Sequence, residues 1–197
     1  MLKILTNNKL ELTEENFSKL LPQYLQRSSD MFFTPIRIAT TAAQWLTEDG
    51  KKRVLDIGAG VGKFCITGAK YTDSYFYGIE YRPSLVEIAN EIIDQFGLAN
   101  VSVHAGDMMD VDFQSFDAFY LFNPFCENLF FNKRLNDEVE LFDRLYIYYF
   151  QNTRLPLSQT KPGTRLVTYY GNGFEVPESF KKIKEAEGCS LKLWIQQ

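Results

Sequence analysis

The most informative segment of this sequence is a glycine-rich run whose alternate positions are Asp56, Gly58, Gly60 and Gly62. Glycines in such a run adopt positive φ angles and let backbone N–H groups approach a ligand closely. The run follows a short apolar stretch and precedes a helical pattern, so it joins a predicted strand to a predicted helix. This placement indicates a ligand-binding loop.

Three kinds of nucleotide-binding loop compete for this segment. A P-loop requires GxxxxGK followed by Ser or Thr, but Ile57 stands where its first glycine belongs and Phe64 where its hydroxyl belongs. A dinucleotide-binding loop requires GxGxxG, and Lys63 occupies its third glycine position. The pattern DxGxGxG, by contrast, is matched at every fixed position.

Two further acidic residues each end or follow a predicted strand. Glu80 ends the second strand, where a carboxylate can accept hydrogen bonds from both hydroxyls of a ribose, and Tyr81 can lie against a base. Asp107 follows the third strand, next to Met108. The alternative to a ligand-binding role is that Glu80 is only a solvated residue at a strand end and that Asp107 only forms a turn with Gly106.

A third polar segment, Asn123, Pro124 and Phe125, ends the fourth predicted strand. Asparagine and proline are also common in turns that carry no ligand. The segment is therefore either part of the site or a turn with a purely backbone role.

Together these motifs resemble the class I S-adenosylmethionine (SAM)-dependent methyltransferases, and the resemblance covers residues 51–170. It implies SAM as cofactor and S-adenosylhomocysteine as product. It also implies that Asp107 accepts a hydrogen bond from the adenine amino group and that the Met108 N–H meets a ring nitrogen. The implied cofactor-binding residues are Asp56, Gly58, Ala59, Gly60, Glu80, Tyr81, Asp107, Met108 and Asn123.

The resemblance also implies where the methyl acceptor binds. Methyltransferases of this family that act on planar or amino nitrogens often carry Asn/Asp-Pro-Pro-aromatic at the end of the fourth strand. Here Asn123, Pro124 and Phe125 are the catalytic candidates, and Cys126 occupies the usual aromatic position. The segment is also similar to the Asn-Asn-Phe loop of non-SET histone-lysine methyltransferases. We therefore expect transfer to a nitrogen on a small molecule or protein, with no metal involved.

The charge of Asp56 bears on the choice of cofactor. A carboxylate at the end of the first strand is unfavourable beside a pyrophosphate but can lie near the cationic end of SAM or hold the loop amides. This favours SAM over NAD. Two alternatives stay open from the sequence: a non-catalytic SAM-binding sensor or partner subunit, and an NAD-dependent oxidoreductase.

The elements that position these residues alternate between strand and helix, which predicts an α/β fold with a doubly wound, mostly parallel sheet and helices on both faces. An N-terminal helical cap or lid (residues 1–50) precedes a SAM-binding Rossmann-like domain (residues 51–197). Helices are predicted over 13–26, 35–47, 63–71, 83–96, 134–151 and 177–187, and strands over 53–57, 74–79, 101–104, 117–122, 164–170 and 190–195.

Two segments outside the central motifs carry further expectations. Residues 28–35 form a candidate lid, in which Phe32 and Phe33 either close over the cofactor or anchor the core. Only one strand is predicted after the last helix, whereas many members of the resembled family end in an antiparallel hairpin. Tyr146, Tyr148 and Tyr149 are expected to serve packing rather than the pocket.

Composition limits the remaining possibilities. The 197 residues are 45% hydrophobic and 23% charged, which is typical of a globular domain. A net charge of −4 argues against a dedicated nucleic-acid binder. Three cysteines without a CxxC pair predict no zinc site and a cytoplasmic protein with reduced thiols. No apolar run is long enough to predict a membrane span, and the oligomeric state stays open.

Overall fold

Seven strands form one mixed sheet in the order β3-β2-β1-β4-β5-β7-β6. The computed structural model describes residues 11–27, 29–123, 125–129, 134–171 and 173–197. The strands are β1 (Arg53–Ile57), β2 (Tyr75–Glu80), β3 (Val101–Ala105), β4 (Ala118–Phe122), β5 (Arg165–Tyr169), β6 (Phe180–Ala186) and β7 (Leu191–Gln196). The helices are α1 (Glu14–Leu20), α2 (Gln23–Gln26), α3 (Ser29–Phe32), α4 (Ile36–Leu46), α5 (Lys63–Tyr71), α6 (Pro83–Phe96) and α7 (Asp143–Ser158).

The first five strands are parallel, and β7 pairs antiparallel with both β5 and β6. The chain leaves β1 toward β2 on one side and returns to β4 on the other, so the strand order reverses between β1 and β4. In open α/β sheets ligands bind at the carboxyl ends of the strands beside this reversal. The predicted α/β fold with a mostly parallel sheet is thus confirmed.

Helices cover both faces of the sheet. Helices α4, α5 and α6 bury one face, and the side chains of α1 and α2 join the cluster around α6. The C-terminal part of α7 and two short 3₁₀ turns (Met108–Asp110 and Phe113–Ser115) cover the other. Because successive strand residues point to opposite faces, each buried strand packs against both layers. Several of the many aromatic rings are fully buried, including Tyr120, Phe17, Phe64, Phe76 and Phe119.

The prediction of a helix over 177–187 is wrong, because this segment contains β6. Phe180 and Ile183 are spaced as on a helical face, but β6 pairs with β7 on both sides of an irregularity at Ile183 and forms the edge of the sheet. Lysines on an exposed edge strand also discourage pairing with other chains. The chain therefore ends in an antiparallel hairpin of its own, and the expectation of a single final strand is wrong as well.

Three helical segments also differ from the predictions. The predicted helix 13–26 is interrupted at Pro22, which separates α1 from α2 because proline cannot continue a helix. Within the predicted loop 27–33 the short helix α3 forms. Helix α7 begins at Asp143 rather than 134, and residues 134–142 form an irregular segment, called the strap below.

Candidate functional site

The glycine-rich loop folds back over the end of β2. Gly58, Gly60 and Gly62 have φ angles of 78°, 55° and 71°, which a residue with a side chain rarely adopts. The N–H groups of Gly58 and Ala59 both donate to the Ile79 carbonyl, at 3.0 and 3.1 Å. Gly62 then caps α5 in the left-handed conformation. The sequence pattern therefore corresponds to a tight loop whose glycine N–H groups bond within the protein and in which Gly58 is exposed at the carboxyl end of β1.

Glu80 is buried at the end of β2, with 7% of its surface exposed. Its Oε2 accepts the Gly60 N–H at 2.9 Å, and its Oε1 accepts the Arg82 N–H at 3.0 Å. The Arg82 guanidinium lies 3.9 Å from Glu80 and 3.0 Å from Glu127. Burial raises the pKa of Glu80, and these backbone hydrogen bonds oppose the rise. One carboxylate thus joins the glycine loop to a buried arginine.

Asp107 follows β3 and is held by two donors. Its Oδ1 accepts the Met109 N–H at 2.9 Å, and its Oδ2 accepts the Tyr149 hydroxyl at 3.1 Å. Burial, followed by the negative charge of Asp107, raises the pKa of Tyr149 to about 12. Tyr149 thus donates a hydrogen bond to this carboxylate, whereas the sequence predicted only a packing role for it.

The segment after β4 has strained backbone at two residues. Asn123 and Phe125 have φ angles of 39° and 64°, which are costly for side-chain-bearing residues and are found often at functional sites. The Asn123 carbonyl accepts the Cys126 N–H at 3.3 Å. The Phe125 ring stacks on Tyr149, with centroids 5.2 Å apart. Pro124, the third catalytic candidate, lies outside the described residues.

These strand ends surround one cavity of about 560 Å³, a size typical of small-molecule sites. Eight of the ten described candidate residues line it: Gly58, Gly60, Glu80, Tyr81, Asp107, Met108, Asn123 and Phe125. Phe32 and Phe33 line it too, as the lid hypothesis requires, although their closing over a cofactor stays a prediction.

Asp56 and Ala59 are the two described candidates that do not line the cavity. Asp56 is buried on the face of β1 that packs against α5, where its Oδ2 lies 3.6 Å from the Cys65 sulfur. Burial raises the pKa of Asp56 to about 8. Ala59 packs so closely on β2 that a Cβ added at Gly78 would lie 2.6 Å from the Ala59 methyl group.

The strap forms one wall of the cavity and is fixed by side chains of other elements. The Leu135 N–H donates to Glu127 at 2.6 Å, and Arg82 Nε donates to Asn136 at 3.0 Å. Ser84 and Glu138 form a further pair. Neither the strap nor Arg82 was predicted from the sequence as part of the site. An arginine placed two residues after a site carboxylate was the available signal.

The charges around the cavity suit a cationic nucleoside better than a pyrophosphate. Its lining carries five carboxylates and two guanidinium groups, namely Glu80, Asp107, Glu127, Glu138 and Glu140 against Arg82 and Arg144. Lys63, which follows the loop, is buried and lies 2.5 Å from Glu14, away from the cavity lining. The residues present therefore fit SAM, which carries a sulfonium and no phosphate.

In the described part of the chain, no three His, Cys, Asp or Glu side chains are grouped as they would be to hold a metal ion. None of its helices combines the length and the apolar character needed to cross a membrane.

Comparison with known sequences assigns this chain to a family. Residues 48–186 match the family described as "Methyltransferase domain". EEF1A lysine methyltransferase 2 from Homo sapiens is 38% identical over 61 residues, which are 31% of this chain and 26% of that protein. The 23S rRNA (uracil(1939)-C(5))-methyltransferase RlmD from Chromohalobacter salexigens is 35% identical over 85 residues, 43% of this chain and 17% of that protein. The matches thus span about a quarter or less of these relatives.

Solved structures share the fold at low sequence identity. TrmN from Thermus thermophilus superimposes with a TM-score of 0.59 at 18% identity, covering 89% of this chain and 52% of that one. The N-methyltransferase NodS from Bradyrhizobium japonicum, solved with S-adenosylhomocysteine, gives a TM-score of 0.57 at 14% identity, covering 90% and 94%. This chain belongs to the methyltransferase domain family, and its domain is a class I SAM-dependent methyltransferase domain.

Proposed function

We propose that this protein transfers the methyl group of SAM to a nitrogen atom on a small molecule or a protein. The observation that carries the proposal is that Glu80, Asp107 and Asn123 come from three different strand ends and line one cavity beside the glycine loop. Family membership supports methyl transfer as the reaction. The names of two relatives, a lysine methyltransferase and an N-methyltransferase, support nitrogen as the acceptor atom.

In this proposal the first three strand ends hold the cofactor. The Glu80 carboxylate accepts hydrogen bonds from the ribose hydroxyls, and Asp107 and the Met108 N–H recognise the adenine. The exposed backbone of Gly58 lies against the rest of the nucleoside. When bound, SAM supplies a methyl group already activated by its sulfonium. The protein therefore needs to position the acceptor in line with that methyl group and to exclude water.

The fourth strand end is proposed to orient the acceptor. In the described residues the Asn123 side-chain amide makes no hydrogen bond, so its oxygen is available to accept a hydrogen from the acceptor nitrogen. The Asn123 carbonyl already accepts the Cys126 N–H but has a second lone pair. Phe125, fixed against Tyr149, offers a ring for stacking on the acceptor.

The free cysteines Cys65, Cys126 and Cys189 support the expectation of a cytoplasmic location.

Transfer of isotope-labelled methyl from SAM tests the proposal. The full chain is incubated with labelled SAM and with fractionated metabolites and proteins, and products are identified by mass spectrometry. We expect label on nitrogen in at least one fraction and its loss with Asn123→Ala, and S-adenosylhomocysteine binding by this variant separates loss of acceptor positioning from loss of a cofactor contact. Binding without transfer to any fraction would instead indicate a non-catalytic SAM-binding protein. Label on oxygen or carbon would contradict the nitrogen acceptor.

A further inference from the structure

Asp107 is held on the cavity wall by a donor from a distant part of the chain. Its Oδ1 accepts the Met109 N–H at 2.9 Å, which caps the short 3₁₀ turn after β3. That bond alone would give Asp107 only a local, turn-forming role. Its Oδ2, however, accepts the Tyr149 hydroxyl at 3.1 Å, and Tyr149 lies 42 residues further along the chain, in α7. A local turn does not require this second donor.

One face of α7 lies along the segment that carries Asp107. Tyr149 and Thr153 are four residues apart, so their side chains are neighbours on one face of the helix. The Thr153 hydroxyl is buried and lies 3.3 Å from the Met108 sulfur. Leu145 precedes Tyr149 by the same interval, and both of these residues line the cavity. Helix α7 therefore contacts two successive residues of the proposed adenine site, and Tyr149 lies where this helix face meets the cavity.

The ring of Tyr149 is itself fixed, so its hydroxyl has a defined position. The Phe125 ring stacks on it with centroids 5.2 Å apart, and the Tyr148 ring meets it edge-on at 5.5 Å. Burial, followed by the negative charge of Asp107, raises the pKa of Tyr149 to about 12. The hydroxyl therefore keeps its proton at neutral pH and donates it to the carboxylate.

The two hydrogen bonds leave the carboxylate free to accept a third from a ligand. A carboxylate offers about four lone-pair sites, and the two bonds described occupy one site on each oxygen. Because a donor holds each oxygen, the group does not rotate and its remaining lone pairs keep fixed directions. A preorganised acceptor binds an N–H group more tightly than a mobile one, because less conformational freedom is lost on binding.

We propose that Tyr149 is a positioning residue that makes the cavity selective for adenine, because its hydroxyl orients the Asp107 carboxylate toward the amino group of the base. This role rests on the proposed function, in which Asp107 accepts a hydrogen bond from that amino group. Tyr149 thus acts through Asp107 and helps to distinguish a base that carries the amino group from one that lacks it. A tyrosine with a purely structural role would support both bases equally.

Two ligands and one variant test this role by calorimetric titration of the full chain. The ligands are S-adenosylhomocysteine and its 6-deamino analogue, in which a hydrogen replaces the adenine amino group and the ring nitrogens are kept. We expect the wild type to bind S-adenosylhomocysteine about 10-fold more tightly, because the analogue cannot donate to the charged Asp107. In Tyr149→Phe, which keeps the ring, this preference should fall to about 3-fold or less, while the affinity for the analogue stays unchanged.

Tyr148→Phe is the matched control. Tyr148 is adjacent on the same helix, is 50% exposed and lies outside the cavity lining, so the same substitution there should keep the full preference. Thermal melts followed by circular dichroism establish that each variant is folded. A full preference in folded Tyr149→Phe, or an equal loss of affinity for the two ligands, would overturn the inference.

A second measurement shows whether Tyr149 acts through Asp107. In Asp107→Ala the two ligands should bind equally, and addition of Tyr149→Phe should change neither affinity, because the hydroxyl then has no carboxylate to orient. A further loss of affinity in the double variant would mean that Tyr149 contacts the nucleoside directly, and the positioning role would be wrong.

The same titrations separate this role from the function on which it rests. If the wild-type chain binds neither ligand, the proposed function fails. If it binds both ligands equally, Asp107 does not recognise the amino group, and the proposed adenine contact and the role of Tyr149 fail together. If the wild type prefers S-adenosylhomocysteine and Tyr149→Phe keeps that preference, only the role of Tyr149 fails.

Discussion

At the scale of single residues, Glu80 combines two tasks in one carboxylate. It holds the Gly60 N–H and the Arg82 N–H within the protein, and its position in the cavity lining makes it the proposed ribose acceptor. A carboxylate can do both because its two oxygens offer about four lone pairs. Stability and cofactor affinity are therefore linked at this residue.

Glu80→Ala is expected to weaken S-adenosylhomocysteine binding by about 10- to 100-fold, because hydrogen bonds to a charged group contribute about 1.5–3 kcal/mol. It should also lower the free energy of unfolding by about 1–3 kcal/mol, since two buried N–H groups lose their acceptor. Calorimetric titration and thermal melts followed by circular dichroism measure the two effects. Wild-type affinity in the folded variant would show that Glu80 does not contact the ribose.

Asp56 gives a pH-dependent prediction. Its pKa is about 8 in the folded protein against an ordinary 3.8, so between these pH values the folded state keeps a proton that the unfolded state loses. This group therefore makes the folded protein less stable as pH rises through that window. Asp56→Asn, which does not titrate, should gain stability relative to wild type between pH 5 and pH 8 in urea denaturation. A pH-independent difference between the two proteins would contradict the prediction.

At the scale of elements, the approach of the glycine loop to β2 depends on Gly78. An added Cβ there would lie 2.6 Å from Ala59, whereas one at Gly68 in α5 would lie 2.2 Å from the Phe76 ring. Both Gly78→Ala and Gly68→Ala should cost about 1–3 kcal/mol of stability through overpacking. Only Gly78→Ala should also weaken S-adenosylhomocysteine binding, because it displaces the loop. Equal affinities in the two variants would contradict this assignment.

The strap gives a second prediction at this scale. Asn136→Ala removes the acceptor of Arg82 Nε and should accelerate amide hydrogen exchange across residues 134–142 by about 10-fold, the equivalent of about 1.4 kcal/mol. The control is Asp137→Ala, because Asp137 is in the same segment but has an exposed side chain paired only with Arg134 at the surface. Exchange that is equally fast in both variants would mean that Asn136, which also bonds Ser84 and Glu138, does not hold the strap.

Local sequence patterns predicted the central strands of the sheet well and its C-terminal hairpin poorly. Strands β1, β4 and β5 are almost entirely buried in the parallel part of the sheet, and their apolar runs are apparent without tertiary information. Strand β6 is an exposed edge strand rich in lysine, and its alternation is too weak to distinguish it from a helix. Its conformation is decided by pairing with β7, which the sequence of β6 alone does not contain.

The same distinction applies to the site. The shared position of Glu80, Asp107 and Asn123 in the cavity lining was predictable because each ends or follows a strand, and the carboxyl ends of parallel strands meet at one edge of the sheet. The contribution of Tyr149 was not predictable, because it depends on how α7 lies over the strand ends. The strap is fixed by Arg82, Glu127 and Ser84, so its position depends on distant side chains rather than on its own sequence.

At the scale of the whole molecule, the sheet topology and the charge of the cavity lining together determine which ligand the cavity suits. The reversal of strand order between β1 and β4 creates the crevice, and the surplus of carboxylates in its lining gives it a negative character. That character favours a cationic nucleoside and disfavours a pyrophosphate. The cavity should therefore accept S-adenosylhomocysteine rather than NAD, although both contain adenosine.

Titration of the full chain with S-adenosylhomocysteine and, separately, with NAD tests this central claim most directly. We predict saturable binding of S-adenosylhomocysteine and, at about 100 times its Kd, stabilisation by about 2.7 kcal/mol, which raises Tm by about 5–10 °C. NAD should produce neither effect. Stabilisation by NAD without stabilisation by S-adenosylhomocysteine would contradict the account.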